Sequence, residues 1–416
     1  MFSLDQWQEI LQAIQANRIR TFSTAFGEFW GILMLILLLG AGQGLQNGVQ
    51  RTMLLDAINS IWIIPARTSM PYQGLPAGRE HPFIEEDLES VSENVFGIDL
   101  MSPENRLMGE FDVKYHNRAT SFQVFGADSE YFGIKVTQKV VNGRSINPID
   151  DRDKRKVALI GSKVAEVIFP EGVDPVGEYL QIKDVSFRVV GVFEFESTSF
   201  TDQASRIYIP FSTFQGIFNP DRKVTLFAVT TAAGRSGKAL EDDILRFVKQ
   251  RQSVHPDDER AYFVHNQEDQ HRQVANLFLA IKLFIWMVGL GTLTAGIVGV
   301  SNIMIIVVKE RTREIGIRKA VGAKPGSIVA MILQESVLIT LVSGYVGLFL
   351  GVLLLEGVNQ LLAVAGADLQ FFNRPEIDLK VALTALFVLV FAGALAGFVP
   401  ALKAARVKPV DALRSE

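Results

Sequence analysis

Residues 283–328 read LFIWMVGLGTLTAGIVGVSNIMIIVVKERTREIGIRKAVGAKPGSI. Its first 26 residues contain no charge, and about 20 apolar residues suffice to cross a bilayer. The text then changes to alternating acids, bases and aliphatic residues, reaches Gly322, and reopens as a second apolar run after Pro325. A spanning helix, a short charged segment and another spanning helix are therefore expected in succession. Working outward, two further apolar stretches appear at 22–45 and 379–402, and the run after Pro325 extends over 328–355.

These spans divide the chain. The expected order is an amphipathic helix over 1–20, helix one over 21–46 and a large domain over 47–275. A stalk and helix two follow over 276–308, then a charged segment over 309–326 and helix three over 327–358. A short loop over 359–378, helix four over 379–403 and a tail over 404–416 complete it. The fold class is thus a membrane α-helical protein of four transmembrane helices, with a large α+β extracytoplasmic domain inserted between helices one and two. Asp5, Glu9 and the length of the first apolar run point to a retained anchor rather than a cleaved signal. Leu4, Trp7, Leu11 and Ile14 share one helical face, suited to the lipid interface or to packing on protein.

Orientation follows from where Lys and Arg gather. Arg18 and Arg20 precede helix one; Lys309, Arg311, Arg313, Arg318, Lys319 and Lys324 separate helices two and three; Lys403, Arg406, Lys408 and Arg414 follow helix four. Both termini and the 309–326 segment are expected in the cytoplasm of a bacterial cell, with the chain multi-pass in its inner membrane.

The 416 residues are 48% hydrophobic and 21% charged, with a formal charge of −4. Mean hydropathy is +0.23. That balance fits a chain part lipid-embedded and part wet, and it argues against nucleic acid as a partner. Absence of cysteine excludes disulfides, thiol catalysis and thiolate metal sites. The 51–275 segment carries 26 Lys and Arg against 33 Asp and Glu, a net of −7. Strand-like runs occur at 121–127, 156–161, 179–195, 206–210 and 224–231, and helix-like runs at 84–93, 162–169 and 237–252. At about 225 residues this α+β domain has room for two subdomains. Helix two is expected to begin near His271, with Lys282 in a stalk that joins domain to membrane rigidly.

No phosphate-binding loop of the G-x-x-x-x-G-K-[ST] type is present, so no ATPase activity is expected of these residues and no bound cofactor. The nearest match, GRSGK at 234–238, lacks the spacing. His81, His116, His255, His265 and His271 form no metal-binding spacing, and no G-x-S-x-G elbow occurs. The chain is not read as an enzyme by itself.

Glu28, within snorkelling range of the cytoplasmic face, and Glu335, beside Gln334, fall inside apolar spans. Buried charge is costly in lipid, so both are expected to face protein or water. Small residues recur at four-residue spacing as Gly347 and Gly351, Gly393 and Gly397, and Ala295 and Gly299, a pattern that lets helices approach closely. In the 309–323 segment, Ile315, Ile317, Ala320 and Val321 offer an apolar side to a short helix that Gly322 ends. The order of acids, aliphatics and glycine exceeds what a positive loop needs and reads as a docking element for a cytoplasmic partner.

That segment resembles the signature of the MacB/FtsX-type ABC permease family, E-R-x-x-E-I-G-x-R-x-A-x-G-A. Here it falls on Glu310, Arg311, Glu314, Ile315, Gly316, Arg318, Ala320, Gly322 and Ala323. NRIRTFSTAFGEFWGI at 17–32 resembles the family's approach to helix one. Gly397, Pro400, Ala401, Ala404, Pro409, Ala412 and Leu413 resemble its closing pattern. Gly143, Arg144, the runs 157–170, 189–193 and 208–215, and Asp174, Pro175 and Gly177 resemble its periplasmic core domain. Glu28 departs from the apolar residue expected there. The resemblance implies a dimer of permease copies, or a pairing with a close paralogue. It also implies that Arg313, Lys319 and the signature residues couple to an ABC ATPase, which uses ATP and Mg. Some relatives carry that ATPase fused at the N-terminus; here a separate subunit is implied. Family members turn cytoplasmic ATP hydrolysis into movement outside the membrane. The implied function is export with a periplasmic adaptor and outer-membrane duct; the alternatives are activation of a cell-wall hydrolase and release of lipoproteins.

Overall fold

The computed structural model describes residues 18–53, 56–107, 112–136, 138–195, 203–219, 221–365, 372, 375–376 and 379–409. The expected amphipathic helix over 1–20 lies almost wholly outside them, as do half of the expected 359–378 loop, whose first residues instead continue helix three to Ala365, and the end of the 404–416 tail.

Among the described residues four helices are long and apolar enough to cross a membrane. They run Arg18–Met53, Gln267–Glu310, Pro325–Ala365 and Leu379–Ala405. The second begins four residues before His271 and continues unbroken for 44 residues. At 1.5 Å per residue it is about 66 Å long, roughly twice the hydrocarbon core it would cross.

Chain contacts separate two compact units, one made of 1–49 with 277–416 and the other of 50–276. In the first unit the glycine pairs specify which helix meets which. A Cβ at Gly347 would lie 2.7 Å from the Phe29 carbonyl oxygen, and one at Gly351 would lie 2.6 Å from Ile36 Cγ2. Helix three therefore seats against helix one at its glycines. Cβ atoms at Gly393 and Gly397 would lie 2.9 Å from Thr340 Cβ and 2.6 Å from Ser336 Oγ, which seats helix four on helix three. The Ala295 and Gly299 pair differs: Ala295 is exposed, and an added Cβ at Gly299 meets nothing within 4 Å.

In the second unit one twelve-stranded mixed sheet runs from Tyr262–Asn266 at one edge to Arg118–Ser121 at the other. Strand Ser60–Pro65 pairs antiparallel with Tyr262–Asn266, Ile61 opposite Asn266, so the chain enters and leaves the domain side by side. Separate apolar clusters fill the two ends, around Phe187 and Ile160 and around Phe83 and Phe227, with Tyr131 and Tyr208 between. The unbroken sheet passes through all three. The run 179–195 is two strands, Tyr179–Ile182 and Val185–Phe195, because Lys183 and Asp184 take left-handed φ values of 44° and 65° and turn the chain back. Strands Ser60–Pro65 and Ile98–Arg106 were not expected from alternation: SIWIIP is apolar after its serine, and IDLMSPENR carries a proline and charges.

Candidate functional site at the turn between helices two and three

The residues of the charged segment form a short helix, Thr312–Ala320, separated from Gln267–Glu310 by Arg311 alone. The change of direction costs little backbone bonding: Arg311 N–H still donates to Val307 O at 3.0 Å, and Ile315 N–H to Arg311 O at 3.0 Å. Glu314 lies in its first turn, Arg318 and Lys319 in its last, each on the side its helix dipole favours. The helix stops at Gly322, whose φ of +104° is one that a side chain resists.

One face of this helix is committed to its own molecule. Ile315 is 2% exposed and packs among Val308, Ile328, Ile332 and Ala404, and Gly316 is buried beside it. This corrects the expectation that Ile315 and Ile317 share one apolar side: two residues apart on a helix, they point in divergent directions. Ile317, Ala320 and Val321, at i, i+3 and i+4, form the outward apolar face, Val321 being 85% exposed. Glu310, Arg313 and Glu314 are exposed alongside.

Charged side chains tie the segment to the bundle. Arg311 Nη1 lies 3.4 Å from Glu335 Oε2 on helix three. Arg318 Nη1 lies 2.9 Å from the Met331 sulfur. Lys319 Nζ donates to the carbonyls of Ala405 at 2.8 Å and Val407 at 2.6 Å. The last carbonyls of a helix have no partners within it, so an ammonium there satisfies acceptors that would otherwise need water. The Lys319 contact was missed from sequence; the open helix-four terminus was the signal that could have raised it. A cavity of about 590 Å³ opens between the segment and helix three, with Arg311, Ile317, Arg318, Val321, Gln334 and Glu335 in its wall. Ala323 also lines it. Gln334 and Glu335, read separately from the segment, thus belong to the same place, while Glu335 is 6% exposed.

Glu28 lies elsewhere. It is 2% exposed, and its Oε1 accepts from Thr340 Oγ1 at 2.9 Å. A Cβ on Gly296 would sit 3.2 Å from its Cγ. Both intramembrane acids face protein, as expected, but Glu28 does not snorkel: Thr340 and the space left by Gly296 hold it among helices one, two and three. Among the described residues no group of His, Asp and Glu could hold a metal ion.

Residues 21–247 match the model of the MacB-like periplasmic core domain, and 286–409 that of the FtsX-like permease C-terminal region. The pyoverdine export ATP-binding/permease protein PvdT of Pseudomonas putida is 30% identical over 419 residues, covering 98% of this chain and 60% of that protein. The macrolide export ATP-binding/permease protein MacB of Sodalis glossinidius is 28% identical over 410 residues, with the same shares. The chain thus spans about 60% of the length of these relatives. The solved periplasmic region of MacB from Actinobacillus actinomycetemcomitans aligns at 16% identity and a TM-score of 0.43, covering 53% of this chain and 94% of that one. With more than half its length matched by the first of these family models and most of the remainder by the second, the chain belongs to the MacB/FtsX-like family of ABC transporter permeases.

Proposed function

We propose that this permease exports a substrate from the periplasm, driven by a separate cytoplasmic ATPase that grips residues 309–323. Two copies pair in the inner membrane with their termini in the cytoplasm. A periplasmic adaptor and an outer-membrane duct complete the route. ATP and Mg are handled by the partner, since these 416 residues contain no phosphate loop. Relatives whose names join ATP-binding and permease functions support the pairing of this permease with an ATPase.

One observation carries the reading. The short helix is anchored to helices two, three and four on its inner side, through the Arg311 turn, Glu335 and the Lys319 contacts. On its outer side it presents Arg313, Glu314, Ile317 and Val321 beside an open cavity. A push on such a knob reaches three helices at once.

Charge reversal by Glu310→Lys with Glu314→Lys tests it. Losing a desolvated charge contact at an interface costs about 2–5 kcal/mol, so capture of the ATPase should weaken at least tenfold and stimulated hydrolysis should fall with it. The exposed Lys403→Glu serves as a control. Wild-type capture and hydrolysis by the double variant would reduce the segment to a topology signal.

A further inference from the structure

Just after helix one ends, Asp56 is 8% exposed inside the domain. Its Oδ1 lies 2.6 Å from Lys135 Nζ, with both side chains 10% exposed. Its Oδ2 accepts from Gln267 Nε2 at 3.3 Å, and Gln267 is the first residue of helix two. Lys135 Nζ also sits 4.5 Å from the centre of the Trp62 ring. Next to the acid, Ala57 N–H donates to Ile134 O at 2.8 Å. One carboxylate thus binds the segment that arrives from helix one, the start of helix two and the turn after the short helix Tyr131–Ile134.

That turn leads inward. Tyr131 is fully buried, meets Trp62 edge-on at 6.0 Å, and donates its hydroxyl to Glu104 on the strand Ile98–Arg106. Its ring lies 5.3 Å from that of Tyr208, on the strand Arg206–Pro210. Burial pushes the Glu104 carboxyl above its usual range, which suits it to an interior shared with a tyrosine hydroxyl. Replacing a buried ion pair by well-packed apolar residues is often neutral for stability, so stability alone does not explain a pair placed here. A carboxylate with both oxygens engaged does fix three segments in one geometry, as apolar contacts would not.

We propose that Asp56, Lys135 and Gln267 form the clamp through which movement of helices one and two is delivered to the central strands of the domain. They act as positioning residues. The proposal rests on the ATPase-driven reading above.

The test uses the full chain assembled with its ATPase, with and without ATP and vanadate, read by hydrogen exchange in 98–106 and 206–210. In the wild type, nucleotide trapping changes exchange there. Asp56→Leu with Lys135→Met keeps the fold, by the argument on apolar replacement, and keeps ATPase capture and hydrolysis. Its nucleotide-dependent change should shrink about fivefold or more, the lower end of typical coupling between sites. Gln267→Leu leaves the ion pair intact, guards against misfolding of the double variant, and should also reduce the response. An unchanged response in either folded variant overturns the clamp. Failure of the wild-type chain to bind any ATPase would instead sink the reading on which it rests.

Discussion

In the inserted domain the largest fully buried side chains are Tyr131, Tyr208, Phe83, Phe187, Phe193 and Phe227, while the spanning bundle closes where Gly347, Gly351, Gly393 and Gly397 meet neighbouring helices. The difference follows from the two solvents. Water rewards burial in proportion to apolar area, so the domain gains from large rings. Lipid tails are as apolar as leucine and give no such reward, so the bundle gains from backbone approach and dispersion contact. A substitution should accordingly be most damaging in opposite directions in the two regions: removal of bulk in the domain, addition of bulk in the bundle.

The largest effect is expected at Phe227, fully buried and edge-on to Phe83 at 4.9 Å. Phe227→Ala should destabilise the domain by about 3–5 kcal/mol through lost transfer energy and a cavity. Thermal unfolding of the purified protein in detergent would show it; a melting curve indistinguishable from wild type would erase the contrast. In the bundle the complementary change is Gly351→Leu, which drives side-chain atoms into Ile36. Overpacking of this kind costs about 1–3 kcal/mol. Denaturant unfolding should report it as an earlier loss of contact between helices one and three, whereas Gly299→Leu, facing open space, should leave it unchanged.

A smaller effect sharpens the domain side. Asp128 caps the short helix Tyr131–Ile134, accepting from Tyr131 N–H at 3.1 Å and from Ser102 Oγ at 2.6 Å. Burial raises its pKa from 3.8 to about 6, opposed in part by these hydrogen bonds. For an acid whose pKa is raised on folding, the protonated form favours the folded state. Stability therefore rises as pH falls through about 6, and the gain is complete below the unfolded value. Between pH 7 and pH 5 the contribution is about 1 kcal/mol. Asp128→Asn keeps a capping side chain and should flatten that part of the pH dependence; parallel curves for variant and wild type would count against the assignment.

How much could be read in advance differed between the regions for the same physical reason. Twenty apolar residues in a row have few structural meanings, so the four spans were legible from length alone, and the order E-R-x-x-E-I-G marked the turn at Arg311. The partners of the glycines were not legible, because a missing side chain says that something comes close without saying what. Long-range polar contacts were equally hidden. Nothing local to Lys319 points to Ala405, and nothing local to Asp56 points to Lys135, 79 positions away in the sequence. In the domain, alternation revealed half-wet strands such as Val185–Phe195 and missed Ser60–Pro65, which pairs on both edges and is apolar after Ser60. Ile315 was assigned to the wrong side of its helix because composition alone does not separate an inward aliphatic residue from an outward one.

The pairing of Ile61 with Asn266 means that the domain begins and ends at the same place. A fold with adjoining ends can be set into a turn of another protein without forcing that turn open or threading the chain through itself. Along the chain the 227 residues of this unit amount to one long insertion between the first two spanning helices. Such an insertion can be lengthened, shortened or exchanged through evolution while the four helices keep their packing. A family with one bundle can in this way acquire new work by grafting rather than by redesign.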